Sequence, residues 1–241
     1  MTTSFDHIGL LGFDVFGTVV DWRSGVARAC EPFLRMHGLA ADPLAFADAW
    51  RAQYQPAMEE VRSGRRPWTK LEVLNLENLQ RVLVQYGVDA GAIPLPILMK
   101  LNRCWQRLDP WPDSVPGLLR LKRRFAIAPM SNGSIAGMLQ LARFGGLPWD
   151  AILGAEIAQA YKPQPAVYLA SSEAAGFVPG QVCMVAAHNN DLAAARALGL
   201  ATVFLRRPLE HGPAQTTDLA AEEDWDVVAE SMTDVADALG C

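Results

Sequence analysis

The chain has 241 residues, of which 51% are hydrophobic and 20% are charged, and its formal net charge is −5. This composition is typical of a globular protein with a substantial core, and the charge gives no electrostatic reason to expect nucleic acid as a partner. No apolar stretch approaches the ~18–20 residues that a membrane helix needs, and the opening MTTSFDH has no signal-type leader. The four cysteines are scattered without a metal-type spacing, so we expect reduced thiols in a cytoplasmic protein.

The first half of the chain predicts one strand followed by a helical block. The strand, 8–13, is apolar throughout, as a buried parallel strand is. From about residue 21 to 109 the pattern is helical, and Asp42-Pro43 is typical of a helix start. Apolar residues then recur at three- or four-residue steps through 46–61, where Pro56 should kink or split the helix. Two more amphipathic helices are predicted near 71–79 and 97–105, with no confident strand in the block.

After residue 110 the pattern alternates between strand and helix. Strands are predicted at 125–130, 151–154, 182–185 and 202–205, with helices at 118–124, 135–144, 167–175 and 192–198. Ser231 with Asp234 resembles a capping box that opens a last helix. Such alternation predicts βαβ units and a parallel sheet, in which the first strand finds its partners only after the helical block. We therefore predict an α/β protein with a Rossmann-like parallel-sheet core (1–20 and 110–241) and an inserted all-helical cap (21–109).

Polar residues follow the ends of the predicted strands, where parallel sheets bind their ligands. Asp14 ends the first strand, Ser131-Asn132-Gly133 ends the second, and Asp191 follows the fourth. Lys162 lies in a loop, within AYKPQPAVY. Each has an ordinary structural explanation: a turn, a helix N-cap or a solvated lysine. Their occurrence on successive units of the sheet favours a shared site instead.

Together these segments resemble the four motifs of the haloacid dehalogenase superfamily, and the resemblance covers nearly the whole chain. The matching segments are FDVFGT, MSNGS, YKPQPAVY and the segment that ends in Asp191. The resemblance implies that Asp14 is a nucleophile that forms a covalent enzyme intermediate. It also implies supporting roles for four side chains: hydrogen bonding by Thr18 and Ser131, stabilisation of negative charge by Lys162, and the tyrosine of the third motif at Tyr168.

Phe16 separates two chemistries within this superfamily. Most members transfer phosphoryl groups, and they carry a second aspartate two residues after the nucleophile, together with Mg²⁺. Here Phe16 stands at that position, and AAHNND offers only Asp191 after the fourth strand. A halide leaves as a stable anion and needs neither a proton nor a metal ion. An aromatic residue also suits a dry site, although Phe16 has a plain alternative explanation as a core residue near the strand end.

The L-2-haloacid dehalogenase branch of the superfamily has an aromatic residue at this place. It also has an arginine in a Trp-Arg pair on an early cap helix, which Trp50-Arg51 matches. The resemblance implies that Arg51 and Asn132 receive the halide. The alternative explanation for Arg51 is an ordinary surface arginine on a helix. Three other cations of the cap are candidates for the same role: Arg62, Arg65 and Arg66.

One segment departs from that branch, because Ala186-Ala187-His188 replaces Ser-Ser-Asn. The serine and asparagine roles therefore do not transfer. His188 either replaces the asparagine in holding the water that attacks the ester, as a base if its pKa is near neutral, or is a hydrogen-bonded histidine at a strand end.

These observations predict hydrolytic dehalogenation of short L-2-haloalkanoic acids to D-2-hydroxy acids through an aspartyl ester. The predicted partner is the small 2-haloacid alone, with no metal, organic cofactor, nucleic acid or membrane, and the superfamily's habit suggests a homodimer. Two alternatives stay open: a Mg²⁺-dependent phosphohydrolase of a small phosphomonoester, and a non-catalytic member that serves as a binding module.

Overall fold

A computed structural model describes residues 5–241, so the first four residues of MTTSFDH lie outside the described part of the chain. The strands are β1 (Leu10–Phe13), β2 (Ala126–Ser131), β3 (Leu153–Gly154), β4 (Val182–Ala186), β5 (Ala201–Leu205) and β6 (Val227–Ala229). They form a sheet in the order β3-β2-β1-β4-β5-β6, in which every registered pair is parallel. The predicted α/β class with a parallel sheet is confirmed.

The central position of β1 explains its apolar sequence. Leu10 is in register with Ala126 of β2 on one side and with Val182 of β4 on the other. All four residues of β1 and all five of β4 are buried, as expected for strands that are covered on both faces. Because the strands run in one direction, their carboxyl ends meet at one edge of the sheet, directly beside Asp14.

Five α-helices lie between β1 and the rest of the core. They are α1 (Trp22–Met36), α2 (Pro43–Ala52), α3 (Tyr54–Arg62), α4 (Leu71–Gln85) and α5 (Leu95–Asn102), with 3₁₀ turns at Ala90–Ala92 and Arg103–Gln106. Within 21–109, a range that the structure describes completely, no residue belongs to a strand of the sheet. The all-helical character of the insertion is therefore as predicted. The exact domain boundaries stay a prediction.

The break between α2 and α3 has a chemical cause. Asp42 caps α2 by accepting a hydrogen bond from Ala45 N at 2.8 Å, with Pro43 in the first turn, which confirms the predicted helix start. Pro56 is the third residue of α3. Its ring would collide with the carbonyl four residues back in a continuous helix, so the helix divides at Gln53.

The second half of the chain supplies the helices that cover the sheet. They are α6 (Ser114–Leu121), α7 (Ile135–Gly145), α8 (Ala155–Ala158), α9 (Pro165–Ala174), α10 (Asn189–Arg196) and α11 (Met232–Ala238). Ser231 caps α11 through Asp234 N, as predicted. The sequence did not predict β6, a three-residue edge strand whose Val228 is exposed, and β3 is shorter than expected.

An aromatic cluster joins the helical insertion to the core beside Asp14. The Trp105 ring meets Phe16 edge-on with a centroid distance of 5.9 Å. It stacks on Trp22 at 6.1 Å and contacts Trp50 edge-on at 5.6 Å. These rings give the region next to Asp14 a dry, apolar wall. No helix within residues 5–241 is both long and apolar enough to cross a membrane.

Candidate active site

The end of β1 presents a carboxylate held from several sides. The Asp14 amide donates to Val185 O at 3.0 Å, which continues the pairing of β1 with β4. Thr18 Oγ1 donates to Asp14 Oδ2 at 2.8 Å, and Lys162 Nζ donates to Oδ1 at 3.0 Å. Because both oxygens have fixed donors, the carboxylate has one defined orientation at the carboxyl edge of the sheet.

The surroundings of Asp14 keep it ionised. Burial alone raises the pKa of this carboxyl, but the charge of Lys162 and the hydrogen bond from His188 outweigh burial and hold the pKa well below its usual range. A buried, fully ionised carboxylate that keeps lone pairs directed into a cleft is the chemical state that a nucleophile requires.

Lys162 links two of the predicted site residues. Its ammonium group bridges Asp14 and Asp191 Oδ2, and its backbone N donates to Asn132 Oδ1 at 2.8 Å. Burial lowers the pKa of Lys162, but the two carboxylates outweigh it, so its pKa lies above the usual value. Lys162 lies in the loop between the short helix α8 and α9, so its placement in a loop is as predicted.

Tyr168 supports Asp191 from the side opposite the lysine. Its hydroxyl donates to Asp191 Oδ1, and the tyrosine is fully buried in α9. Burial first, and then the neighbouring carboxylate, raise the pKa of Tyr168, so it is a protonated donor at any physiological pH. Asp191 therefore has a partner on each oxygen, and Tyr168 touches Asp191 without lining the cleft.

His188 lies between two carboxylates. Its Nδ1 is 3.2 Å from Asp14 Oδ2, and its Nε2 is 2.9 Å from Glu210 Oε2. Burial lowers the pKa of His188, but Glu210 and Asp14 together hold it well above the usual value. With Asp14 ionised, this environment favours the charged imidazolium as a hydrogen-bond donor, and the role of His188 in the reaction stays a prediction.

At Ala186-Ala187, where the chain departs from the dehalogenase branch, the backbone contacts the site through Thr18. Thr18 Oγ1 accepts a hydrogen bond from Ala187 N at 2.9 Å while it donates to Asp14. The end of β4 thus reaches the nucleophile through its backbone and the threonine, with no serine side chain at this point.

Arg51 is a cleft-lining cation of the cap with spare hydrogen-bonding capacity. It lines the same cleft as Asp14 and Asn132, and its guanidinium carbon lies 4.0 Å from the Tyr54 ring centroid and 5.3 Å from that of Trp22. Its Nη1 is buried and has no hydrogen-bond partner among residues 5–241. A buried guanidinium nitrogen without an acceptor is a place where an anion binds favourably.

The competing arginines are engaged elsewhere. Arg62 lines the cleft, but its Nη1 donates to Lys162 O at 2.8 Å and its Nε pairs with Glu59. Two more arginines form ion pairs with glutamates of the cap: Arg65 with Glu60, and Arg66 with Glu77.

Two other predicted site residues, Phe16 and Ser131, differ in whether they line the cleft. Phe16 lines the cleft, where it is 4% exposed. Ser131 is fully buried, does not line the cleft, and accepts a hydrogen bond from Gly133 N at 3.1 Å. Ser131 therefore shapes the turn that carries Asn132, and its hydrogen-bonding role in the reaction stays a prediction.

Glu210 is the site residue that the sequence analysis missed. It is 1% exposed, and it lies in the long segment between β5 and β6, which no motif marks. Its backbone N donates to Arg207 O at 3.2 Å, and Arg207 in turn donates to Thr18 O at 2.9 Å. The sequence carries no signal for the contact between Arg207 and Thr18, because the two residues are 189 positions apart.

Gly17 is required by both its backbone and its surroundings. Its φ is +93°, and a Cβ atom there would lie 2.1 Å from Glu210 Oε1. We expect Gly17→Ala to destabilise the fold by roughly 1–3 kcal/mol and to displace Glu210, which lowers turnover. Gly38→Ala is the matched control, because Gly38 has φ +65° but no neighbour within 4 Å. Urea unfolding and activity measured on both variants separate the two effects; equal activity losses would contradict the argument.

The chain is similar to known proteins over nearly its whole length. A crystal structure of the defluorinating L-2-haloacid dehalogenase Rha0230 is 47% identical with a TM-score of 0.95, and the match covers 97% of this chain and 96% of that one. The (S)-2-haloacid dehalogenase 4A of Burkholderia cepacia is 26% identical over 96% of this chain and 99% of its own length. The phosphoglycolate phosphatase of Escherichia coli strain K12 is 30% identical over 98% of this chain and 94% of its own length.

The fold and the site define a hydrolase with a carboxylate at the carboxyl end of the central strand of a parallel sheet. The sequence model of the haloacid dehalogenase-like hydrolases matches residues 8–199, which is most of the chain. The protein belongs to the haloacid dehalogenase-like hydrolase family.

Proposed function

We propose that the protein hydrolyses short L-2-haloalkanoic acids to D-2-hydroxy acids. The observation that carries the proposal is that one cleft holds both an ionised Asp14 and a guanidinium nitrogen of Arg51 that has no hydrogen-bond partner. Phe16 occupies the position at which a phosphatase of this family needs its proton donor. The two relatives that are named 2-haloacid dehalogenases support the same reaction.

In the first step, Asp14 attacks C2 of the haloacid from behind the carbon–halogen bond. The carbon–halogen bond breaks, an ester forms between Asp14 and C2, and the halide departs to Arg51 and Asn132. Inversion at C2 follows, because only this step changes a bond to C2. The aromatic wall of Phe16 and Trp105 keeps water away, which strengthens the attack of a desolvated carboxylate.

In the second step, water attacks the carbonyl carbon of the Asp14 ester. Lys162 and Asp191 lie beside that carbon and orient the attacking water. Tyr168 fixes the position of Asp191. The acyl–oxygen bond breaks, and the D-2-hydroxy acid leaves. Thr18 holds the carboxylate in the same position before and after the reaction.

The principal alternative is a Mg²⁺-dependent phosphohydrolase, which the phosphatase relative favours. The residues present do not fit the metal. Asp14 and Asp191 share the Lys162 ammonium, and Phe16 offers no side-chain ligand. Within 5–241 no group of three or more His, Cys, Asp or Glu side chains is arranged to hold a metal ion. A non-catalytic binding module is disfavoured because burying three coupled charges is costly without a use for them.

The test is halide release from each enantiomer of 2-chloropropionate, with and without a chelator. We expect release from the L enantiomer, formation of D-lactate, and no effect of the chelator. Phosphate release from phosphoglycolate that is lost on chelation would establish the alternative instead. Failure of both assays with folded protein would support the binding module.

We extend the proposal to three finer points. 2-Fluoro acids are included as substrates, because the 47% identical relative is a defluorinating enzyme, and a fluoride electrode tests this. A cytoplasmic location fits the free cysteines Cys30, Cys104, Cys183 and Cys241. The homodimer stays a prediction that light scattering can test.

A further inference from the structure

Glu210 is a buried carboxylate that neither the family motifs nor the proposed reaction uses. Trp22 Nε1 donates to its Oε1 at 2.9 Å, and His188 Nε2 faces its Oε2 at 2.9 Å. Burial raises the pKa of Glu210, but the charge and hydrogen bond of His188 outweigh burial, so the pKa lies below its usual value. A buried, ionised carboxylate aimed at a histidine ring fixes which ring nitrogen carries a proton.

The ring of His188 connects this carboxylate to the nucleophile. With Asp14 Oδ2 at 3.2 Å from Nδ1 and Glu210 Oε2 at 2.9 Å from Nε2, both ring nitrogens face acceptors. Only the doubly protonated imidazolium can donate to both. The three residues form a line, Glu210–His188–Asp14, which runs from the segment after β5 to the end of β1.

We propose that Glu210 is a positioning residue for ester hydrolysis: it holds the His188 ring and its Nε2 proton so that Nδ1 becomes the base for the attacking water. The proposal rests on the proposed dehalogenation. It assigns the base role to a second state of the enzyme, in which Asp14 is no longer an anion.

Esterification of Asp14 changes the charge balance around His188. The nucleophile becomes a neutral ester, and His188 loses one of the two carboxylates that kept it protonated. The other charged or titratable groups near the pair are Lys162, Asp191, Arg51 and His211. Lys162 stays paired with Asp191, so the negative charge is lost beside Nδ1 of His188. The pKa of His188 therefore falls, and Nδ1 releases its proton to solvent. Nε2 keeps its proton because Glu210 remains ionised.

The proton balance closes over one cycle. The neutral His188 takes a proton from water at Nδ1 while the hydroxide oxygen bonds to the Asp14 carbonyl carbon. The bond between the Asp14 carbonyl carbon and the ester oxygen then breaks, while the bond from that oxygen to C2 is kept. The departing oxygen takes the remaining proton of the attacking water, and Asp14 returns as a carboxylate beside protonated His188. Halide and one proton are released per turnover, the proton before hydrolysis begins.

The Glu210 carboxylate packs closely against the loop that follows the nucleophile. Gly17 leaves space for the carboxylate that any side chain would fill, since a Cβ atom there would lie 2.1 Å from Oε1. Arg207 anchors the segment to Thr18 O at 2.9 Å and to Asp113 at 2.9 Å. The segment therefore carries Glu210 to the nucleophile loop at a fixed distance.

Glu210→Gln tests the proposal, because glutamine keeps an oxygen for Trp22 but offers His188 a neutral amide. We expect the first-turnover burst of chloride from L-2-chloropropionate to persist. We expect steady-state turnover to fall tenfold or more, with a mass increase on the protein from accumulated ester. The rising limb of kcat against pH should move to lower pH, because His188 loses the anion that raised its pKa. Glu230→Gln, at an exposed ion pair with Arg206, is the matched control.

Further variants distinguish positioning from structural support. Glu210→Asp should restore part of the turnover. In a His188→Asn background, Glu210→Gln should cause no additional loss, because the residue through which Glu210 acts is already gone. An unchanged pH limb in Glu210→Gln, additive losses in the double variant, or joint loss of the burst and turnover would each overturn the proposal. If wild-type protein releases no halide, the proposed function itself has failed, which is a different result.

Discussion

Replacing Asp14 with Asn is expected to lower steady-state halide release by a factor on the order of 10⁴ or more. The amide oxygen is a far weaker nucleophile than the carboxylate, whose ionisation Lys162 and His188 enforce by holding its pKa well below the usual range. The shape of the side chain and its contact with Thr18 are conserved by this change, so the loss would report chemistry. Chloride release from L-2-chloropropionate measures it, on protein whose substitution has been verified by mass.

Asp237→Asn is the matched control, because Asp237 is bound to Arg120 at 2.5 Å at the surface and does not line the cleft. It removes a carboxylate of the same kind while leaving the nucleophile intact. Normal turnover in Asp237→Asn beside a lost activity in Asp14→Asn assigns the effect to the nucleophile. Retained activity in Asp14→Asn would remove Asp14 from that role.

Isotope labelling gives a second measurement of the same step. During a single turnover in ¹⁸O water, the first product should carry unlabelled oxygen from Asp14, and the label should enter the Asp14 carboxylate. Label in the first product's new hydroxyl would mean that water attacks C2 directly, which contradicts the ester.

The fold was predictable where the sequence pattern had a single physical explanation. Buried parallel strands such as β1 and β4 are apolar throughout, so their existence and their places in the chain could be predicted from the apolar pattern. The order of the strands in the sheet was not predicted. Edge strand β6 escaped prediction, because three residues with an exposed Val228 carry almost no periodic signal. The break before Pro56 was predicted because proline removes a backbone donor.

The site was predictable only as far as its motifs extended. Asp14, Lys162 and Asp191 lie at strand or loop ends, and the sheet brings such ends to one edge, so their meeting required only the topology. Glu210 required tertiary information, because its segment reaches the site through Arg207 and Gly17, and neither contact has a pattern in the sequence.

The protonation of His188 could not be predicted for the same reason. A histidine that faces one carboxylate and a histidine that faces two have the same sequence letter but different charge. Once Glu210 is absent from the prediction, a near-neutral base is the natural interpretation. The second carboxylate reverses that interpretation for the enzyme with free Asp14.

Replacing Lys162 with Met is expected to lower turnover about 10³-fold and to destabilise the fold by roughly 3–5 kcal/mol at pH 7. The ammonium group is buried between Asp14 and Asp191, so its removal leaves two carboxylates together with no cation between them. Lys122→Met is the matched control, because Lys122 lies at the surface and binds Asp150 and Pro148 O.

The pH dependence of this variant follows from the sign of the Asp14 shift. In the wild type, Lys162 and His188 depress the pKa of Asp14, so the contribution of this carboxylate to stability is present above its unfolded pKa of about 3.9 and is lost as pH falls. Without Lys162, burial and Asp191 raise the folded pKa, so protonation stabilises the variant. The stability difference between wild type and Lys162→Met should therefore shrink as pH falls from 7 towards 4.

Urea unfolding at several pH values measures this difference, and the pH profile of the chloride burst measures its chemical consequence. The wild-type burst should stay flat from pH 5 to 8, because Asp14 is ionised throughout. The residual burst of Lys162→Met should rise with pH, since its nucleophile must first lose a proton. A stability difference that stays constant with pH, together with a flat burst in the variant, would show that the charge of Lys162 does not control Asp14.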